Sequence, residues 1–159
     1  MQKNVTRKSV HSLEEVFLQT QANPKVYQRF AGNRIILNSH RIKNFRYHGT
    51  HCVVCGLRAL YFAKERHKGN DHYHINLYGV VGETEILFTQ DHIKPKSKGG
   101  RNCVHNLQPM CELCNRRKNN EWNIKQRWAL FKTYVSHWVR KDKFACQCRW
   151  MDIIVDMLT

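Results

Sequence analysis

The sequence predicts an α+β fold in which four cysteines hold a small sheet and its helices together. Two cysteine pairs lie far apart in the chain, Cys52-Val-Val-Cys55 and Cys111-Glu-Leu-Cys114. Three strand-like runs lie between the pairs, and a helix is expected to begin near Glu112. Two C-x-x-C pairs from distant segments are typical of a closed structural zinc site, which adds folding energy to a small domain. We therefore expect Zn²⁺ bound by Cys52, Cys55, Cys111 and Cys114.

The three strand-like runs are short, apolar and separated by polar turns. They comprise residues 60–63, 74–78, which alternate with period two, and 85–89. Turns are expected at 68–70 and 81–83, where glycine accompanies polar residues. The third run leads directly into Asp91-His92, so this strand is predicted to present polar side chains at its end.

Helices are predicted on both sides of this core. The chain is expected to comprise a basic helical extension at 1–48, a core at 49–121 and a helical extension at 122–159. Ser12 with Glu15 has the form of a capping box. Asn23-Pro24 resembles a helix start that Gly32 would end.

The last extension carries an apolar stripe at helical spacing, which predicts core packing or docking of that helix. Its members are Ile124, Trp128, Phe131, Val135 and Trp138.

The composition indicates a polyanionic partner. Twenty-seven Lys and Arg residues against 12 Asp and Glu give a net charge of +15. Repulsion of this size is usually tolerated because the partner is negatively charged, with nucleic acid as the first candidate and an anionic membrane as the second. Seven cysteines without an apolar leader favour a reducing compartment, so we expect a soluble cytoplasmic protein without a membrane partner.

Asp91, His92 and Asn115 form a candidate catalytic set. An imidazole with one ring nitrogen held by a partner can deprotonate water near neutral pH. The oxygens of Asp91 and Asn115 suit Mg²⁺ or Mn²⁺, and Asn115 would be fixed by the cysteine before it. This combination suits metal-assisted hydrolysis of a phosphodiester.

Three segments in this order resemble the HNH endonucleases, which are ββα-metal (His-Me finger) nucleases, in the four-cysteine form found in phages and mobile introns. The segments are Asp91-His-Ile-Lys-Pro-Lys-Ser-Lys-Gly-Gly100, Asn106-Leu-Gln-Pro-Met-Cys111 and Cys114-Asn-Arg-Arg-Lys118. The resemblance spans about Cys52 to Asn120. It implies a DNA endonuclease that leaves 3′-hydroxyl and 5′-phosphate ends.

The resemblance also implies a role for each matching residue. His92 is the general base, Asp91 and Asn115 hold one divalent ion, and Asn106 ties the loop together and orients the base. Many members have histidine where this chain has Asn115, so the motif here is H-N-N. Loss of that imidazole favours Mg²⁺ or Mn²⁺ over softer ions.

Basic residues around this motif are expected to contact DNA. They are Lys94, Lys96, Lys98, Arg101, Arg116, Arg117 and Lys118. The basic segment from Arg34 to Arg46 and the helix after Trp122 would grip phosphates beside the site, with salt-sensitive affinity and little sequence information. Cys103, Cys146 and Cys148 have no partner at metal-binding spacing.

Two other functions stay open. One is a zinc-stabilised nucleic-acid binder without cleavage activity, although such a binder has no need for the whole catalytic set. The other is a junction-resolving or packaging-associated nuclease that acts as a homodimer or with a phage partner protein. The sequence does not distinguish nicking from double-strand cleavage.

Overall fold

A five-stranded antiparallel sheet forms the centre of the molecule. The computed structural model describes residues 4–23, 25–123, 125, 128, 131 and 132. The sheet has the order β1-β4-β5-β6-β7, and a separate hairpin pairs β2 with β3. The strands are β1 (Val5–His11), β2 (Tyr27–Phe30), β3 (Asn33–Ile36), β4 (Ala59–His67), β5 (His74–Val81), β6 (Thr84–His92) and β7 (Leu107–Cys111). The helices are α1 (Leu13–Ala22), α2 (His40–His48) and α3 (Glu112–Lys118).

The core lies between the sheet and the helices that pack on it. Phe62, Leu77 and Phe88 are neighbours across β4, β5 and β6, and all three are fully buried. Helix α2 contributes Ile42 and Phe45 to the same core and packs against β6 and β7. This apolar layer fixes the ends of β6 and β7, where the candidate catalytic residues lie.

The predicted α+β fold and its ββα unit are confirmed. Strands β4, β5 and β6 contain the three predicted runs, with Gly69 and Gly82 in the turns between them. Strands β6 and β7 pair in antiparallel fashion, and α3 begins at Glu112 directly after β7. Strand β7 was implied by the ββα resemblance but was not among the three runs predicted from local pattern, because Pro109 in the middle of a short run argues against a strand.

The predicted helix from Asn23 to Gly32 is wrong. Asn23 instead ends α1, where its backbone N–H donates to Gln19 O, and its side chain accepts from Lys25 N. The following residues form the β2–β3 hairpin, with Ala31 (φ 45°) and Gly32 (φ 80°) in its turn. A glycine with positive φ suits a helix end and a hairpin turn equally, so the glycine signal was ambiguous.

Residues 1–48 are not purely helical, because β1 joins the central sheet by pairing with β4. Arg7 of β1 donates to Glu65 Oε1 at 2.8 Å and to Glu85 Oε2 at 2.9 Å, which ties β1 to β4 and β6. The predicted start of α1 is confirmed, since Ser12 Oγ accepts from Glu15 N at 3.0 Å. The division into 1–48, 49–121 and 122–159 stays a prediction.

Most of the predicted C-terminal helix lies outside the described residues, as do Ile124, Val135, Trp138, Cys146 and Cys148. Trp128 and Phe131 are described and are 57% and 37% exposed, with their rings in edge-to-face contact. These two residues therefore lie on the surface rather than in the core. No helix in the described part of the chain is long and apolar enough to cross a membrane.

Candidate active site and metal centre

The four predicted cysteines come together as one cluster. Their sulfur atoms all lie within 4.8 Å of one another, and Cys55 Sγ lies 3.9 Å from Cys111 Sγ. Tetrahedral Zn²⁺ with bonds of about 2.3 Å places its sulfur ligands about 3.8 Å apart. The cluster therefore fits a metal ion such as zinc, held between the loop before β4 and the junction of β7 with α3.

The surroundings of the thiols shift their pKa values in opposite directions. Burial opposes the thiolate of Cys52, but backbone hydrogen bonds at Cys55, Cys111 and Val54 lower its pKa to about 7. Burial raises the pKa of Cys111 and of Cys114. Because metal ligation requires thiolates, a bound cation would offset the cost of ionising these neighbouring groups.

The candidate catalytic residues share one cleft beside this cluster. Asp91 and His92 end β6, and Asn115 lies in α3, one residue after Cys114. All three line a cleft of about 700 Å³, together with Pro95, Lys96, Ser97, Arg116 and Asn119, among others. Asp91, His92 and Asn115, predicted from the sequence to act together, are therefore brought together by the fold.

The His92 ring is held by one side chain, and its surroundings lower its pKa. Its Nε2 lies 3.3 Å from Asn102 Oδ1. An amide oxygen can only accept, so Nε2 carries the proton and Nδ1 keeps its lone pair. Burial and the nearby positive charge of Lys96 lower the pKa of His92 below 6.5. The imidazole is therefore neutral near pH 7 and able to accept a proton.

Asp91 is held by two side chains. Gln108, its register partner on β7, donates from Nε2 to Asp91 Oδ2 at 2.7 Å. Lys118 Nζ lies 3.1 Å from Asp91 Oδ1 and 2.9 Å from His92 O. Each carboxylate oxygen has two lone pairs, so both can accept these bonds and still offer one to a ligand.

The amide of Asn115 is oriented by a side chain of β6. Asn115 Nδ2 donates to Thr89 Oγ1 at 2.9 Å, and Thr89 Oγ1 donates to Met110 O at 2.9 Å. With the amide nitrogen used in this way, Oδ1 is left as an acceptor. Carboxylate and amide oxygens are hard donors, and the pair of Asp91 and Asn115 fits Mg²⁺ or Mn²⁺.

Asn106 bridges the loop that follows β6. Its Oδ1 accepts from Lys94 N at 2.8 Å, and its Nδ2 donates to Lys94 O and Arg101 O at 3.0 and 2.9 Å. The amide is 1% exposed and does not face the cleft. Asn106 therefore holds the loop that carries Lys96 and Asn102, the two residues that act on His92.

The basic residues expected to contact DNA divide into two groups. Lys94 and Lys118 are 5% and 8% exposed, and Lys118 is used by Asp91. Their burial argues against direct contact with phosphate. The other five are exposed and stay candidates, namely Lys96, Lys98, Arg101, Arg116 and Arg117. Of these, Lys96 and Arg116 line the cleft.

Comparison with known families agrees with this geometry. Residues 82–127 match the family model described as HNH endonuclease. This segment of the chain is similar to the HNH endonucleases. It contains Asp91, His92, Asn106 and Asn115 but not Cys52 and Cys55. Searches of curated proteins and of solved structures found no match. This similarity supports a nuclease function with DNA as the substrate, and the cysteine cluster beside the segment fits a metal ion.

Three contacts of the site were missed from the sequence. Asn102 was not singled out from the sequence, although it lies only ten residues along the chain from His92. Gln108 faces Asp91 only because of the β6–β7 register, which the sequence did not reveal. Lys118 was expected on the same helix face as Asn115, where it would assist at the site or contact phosphate, but its contact with Asp91 was not predicted.

Proposed function

We propose that this chain is a metal-dependent DNA endonuclease that hydrolyses phosphodiester bonds with His92 as the general base. The observation that supports this most strongly is the arrangement of His92. Burial and Lys96 lower the pKa of its ring, its Nε2 faces Asn102 Oδ1, and it lines the same cleft as Asp91 and Asn115. A general base within such a set has no purpose in a protein that only binds nucleic acid.

Each residue of the cleft has a separate role in the proposed hydrolysis. Nδ1 of His92 takes a proton from the attacking water, while Asn102 holds the ring in the required tautomer. Asp91 and Asn115 would hold one divalent ion, Mg²⁺ or Mn²⁺. That ion, when bound, stabilises the charge that develops on the phosphate and leaving oxygen.

Positioning of these groups comes from the surrounding structure. Gln108 and Lys118 fix the carboxylate of Asp91, Thr89 fixes the amide of Asn115, and Asn106 fixes the loop. Structural Zn²⁺ at Cys52, Cys55, Cys111 and Cys114 would anchor α3 and thereby Asn115. Such positioning is what allows catalytic groups to act without reorganisation.

Cleavage of supercoiled plasmid tests the proposal. Purified zinc-loaded protein is incubated with Mg²⁺, with Mn²⁺ or with no added ion, and His92→Ala is compared with His40→Ala. His40 is exposed at the start of α2, outside the cleft, and is a matched control. We expect ion-dependent relaxed or linear product from wild type and His40→Ala, and at least a 10²-fold loss in His92→Ala, roughly the contribution of a general base.

The products also separate the remaining functions. Relaxed circles indicate nicking, and linear product indicates double-strand cleavage. Absence of product with either ion, together with tight salt-sensitive binding, would favour the zinc-stabilised binder. Cleavage confined to branched DNA would favour the junction-resolving nuclease.

A further inference from the structure

The β2–β3 hairpin presents two arginines directly opposite each other. Arg29 pairs with Arg34 in the register, and both side chains are exposed. Tyr27 and Ile36 lie on the same outward face, whereas Gln28, Phe30 and Ile35 face the core. This outward face is the basic ribbon, defined by Tyr27, Arg29, Arg34 and Ile36.

Among the residues that the structure describes, no negative charge neutralises the arginine pair, so the pair is not explained by a contribution to stability. Like charges directly opposite each other on a sheet destabilise it. In the described part of the chain, neither guanidinium forms an ion pair with a carboxylate. The Arg34 guanidinium lies 5.0 Å above the Tyr27 ring, which holds its planar group in place without neutralising it.

The surroundings add to the positive charge. No Asp or Glu occurs between Glu15 and Glu65, whereas eight Lys and Arg residues do. Next to the hairpin turn, Lys8 Nζ lies 3.2 Å from Asn33 Oδ1. Lys8, Lys64 and Arg66 also surround the Tyr73 ring at 5.3 to 5.5 Å from its centre. Positive charge is therefore concentrated at this end of the fold.

We infer that the basic ribbon is a second DNA contact, which binds the phosphate backbone of the duplex outside the cleavage cleft. The choice of DNA rests on the proposed function, and the anionic nature of the partner rests on the ribbon itself. The hairpin lies outside the segment that matches the HNH family, so that match does not account for it. A two-stranded ribbon is narrow enough to enter the major groove, and its arginines reach phosphates there.

Fluorescence anisotropy with a duplex oligonucleotide tests this inference. Binding of the full chain is measured over a range of salt concentrations, without Mg²⁺, for wild type and Arg29→Gln/Arg34→Gln. Each phosphate contact contributes about 0.9 to the slope of log K against log salt, so the double variant should lose about 1.8. Affinity should fall on the order of tenfold at moderate salt.

Two matched variants make the result specific. Arg58→Gln/Lys68→Gln removes the same charge from exposed positions away from the hairpin and should change the slope less. Arg29→Lys/Arg34→Lys keeps the charge and should retain most of the affinity, because phosphate contact needs a cation rather than a fixed fork. The melting temperature of Arg29→Gln/Arg34→Gln should equal or exceed that of wild type, because repulsion is relieved.

An unchanged salt slope in Arg29→Gln/Arg34→Gln would overturn the inference, as would an equal loss in the Arg58 and Lys68 control. A loss seen with duplex RNA but not with duplex DNA would also overturn it. The proposed function is judged separately by plasmid cleavage. If wild type cleaves DNA and Arg29→Gln/Arg34→Gln binds it normally, only the inference about the basic ribbon is rejected. If binding depends on the ribbon but wild type does not cleave, only the proposed nuclease function is rejected.

Discussion

Lys118 Nζ lies 3.1 Å from Asp91 Oδ1, and both side chains are almost completely buried, at 7% and 6% exposure. The same ammonium contacts His92 O at 2.9 Å. One lysine of α3 therefore holds the end of β6 at the two residues proposed for catalysis. A buried pair of this kind stabilises little by itself but is costly to break from one side.

Lys118→Met is expected to lower the free energy of unfolding by about 3–5 kcal/mol, because it leaves the carboxylate of Asp91 buried without its counter-charge. Urea denaturation of the zinc-loaded protein without Mg²⁺ measures this. Arg117→Met is the matched control, since Arg117 is exposed on the same helix and should cost less than about 1 kcal/mol.

A double-mutant cycle separates the pair from general packing. Asp91→Asn/Lys118→Met removes both charges, so it should be more stable than Lys118→Met alone. Strict additivity of the two single changes would contradict a coupled pair.

Gly100→Ala is expected to disrupt the loop that Asn106 bridges. A Cβ at this position would lie 1.8 Å from Lys94 O and 2.9 Å from Asn106 Nδ2, and the first of these atoms belongs to the backbone. We expect a loss of about 2–4 kcal/mol in the free energy of unfolding, with cleavage strongly reduced. The measurement is thermal denaturation combined with the plasmid assay.

Gly99→Ala provides a matched comparison one residue earlier. Gly99 has φ +82°, but a Cβ there would meet nothing within 4 Å. The cost should be only about 1–2 kcal/mol, from the left-handed backbone alone. A larger loss in Gly99→Ala than in Gly100→Ala would show that the close approach to Lys94 does not control the loop.

The grouping of side chains at the candidate site was more predictable than the N-terminal part of the fold. Asp91, His92 and the cysteines were singled out because chemistry restricts which residue types can ligate zinc or take a proton, and the fold brings them into one cleft and one cluster. Asn106 was placed through its family resemblance, and its three hydrogen bonds to the loop agree with the role that the resemblance implies. Residue types that the chemistry of the site requires could therefore be recognised in the sequence.

The N-terminal half was harder to predict because its structure depends on distant partners. Residues of β1 form a strand because they pair with β4, which lies more than fifty residues away in the chain. Arg7 of β1 also donates hydrogen bonds to Glu65 and Glu85. The β2–β3 hairpin is favoured by burial of Phe30 and Ile35 against the core. Neither register nor burial can be read from one short segment.

Loss of zinc is expected to unfold the domain. Cys111→Ser should reduce bound zinc from one ion per cluster to near zero and abolish the cooperative thermal transition, because a structural site contributes its binding energy to folding. Zinc released into a colorimetric chelator, together with circular dichroism, measures both effects. Cys103→Ser is the control, since Cys103 lies outside the cluster. A folded, fully active Cys111→Ser protein would contradict a structural zinc site.

The rate of cleavage is expected to fall on the acid side of pH 6.5. His92 acts as a base only when neutral, and burial together with Lys96 lowers its pKa below 6.5. The rate should therefore be flat above that value and decline as the pH falls through the pKa of His92. Lys96→Met removes a positive charge that disfavours the imidazolium, so the pKa rises and the decline should begin at higher pH.

The matched control for this shift is Lys98→Met, which removes a charge from the same exposed loop without a contribution to the pKa of His92. All of these variants keep the other side chains that shift the pKa of His92, namely Asp91, Lys118 and Asn102. Equal acid limbs in Lys96→Met and wild type would show that another group limits the rate.

Asn102 is expected to act through the orientation of His92. Asn102→Ala removes the acceptor of Nε2, so kcat should fall on the order of tenfold or more with KM nearly unchanged, as expected for a group that only positions a base. Asn102→Asp keeps an acceptor at the same place and adds a negative charge that favours the imidazolium. It should retain most of the activity at high pH but move the acid limb to higher pH. If Asn102→Ala raised KM and left kcat unchanged, Asn102 would be a DNA contact rather than the partner that holds the general base.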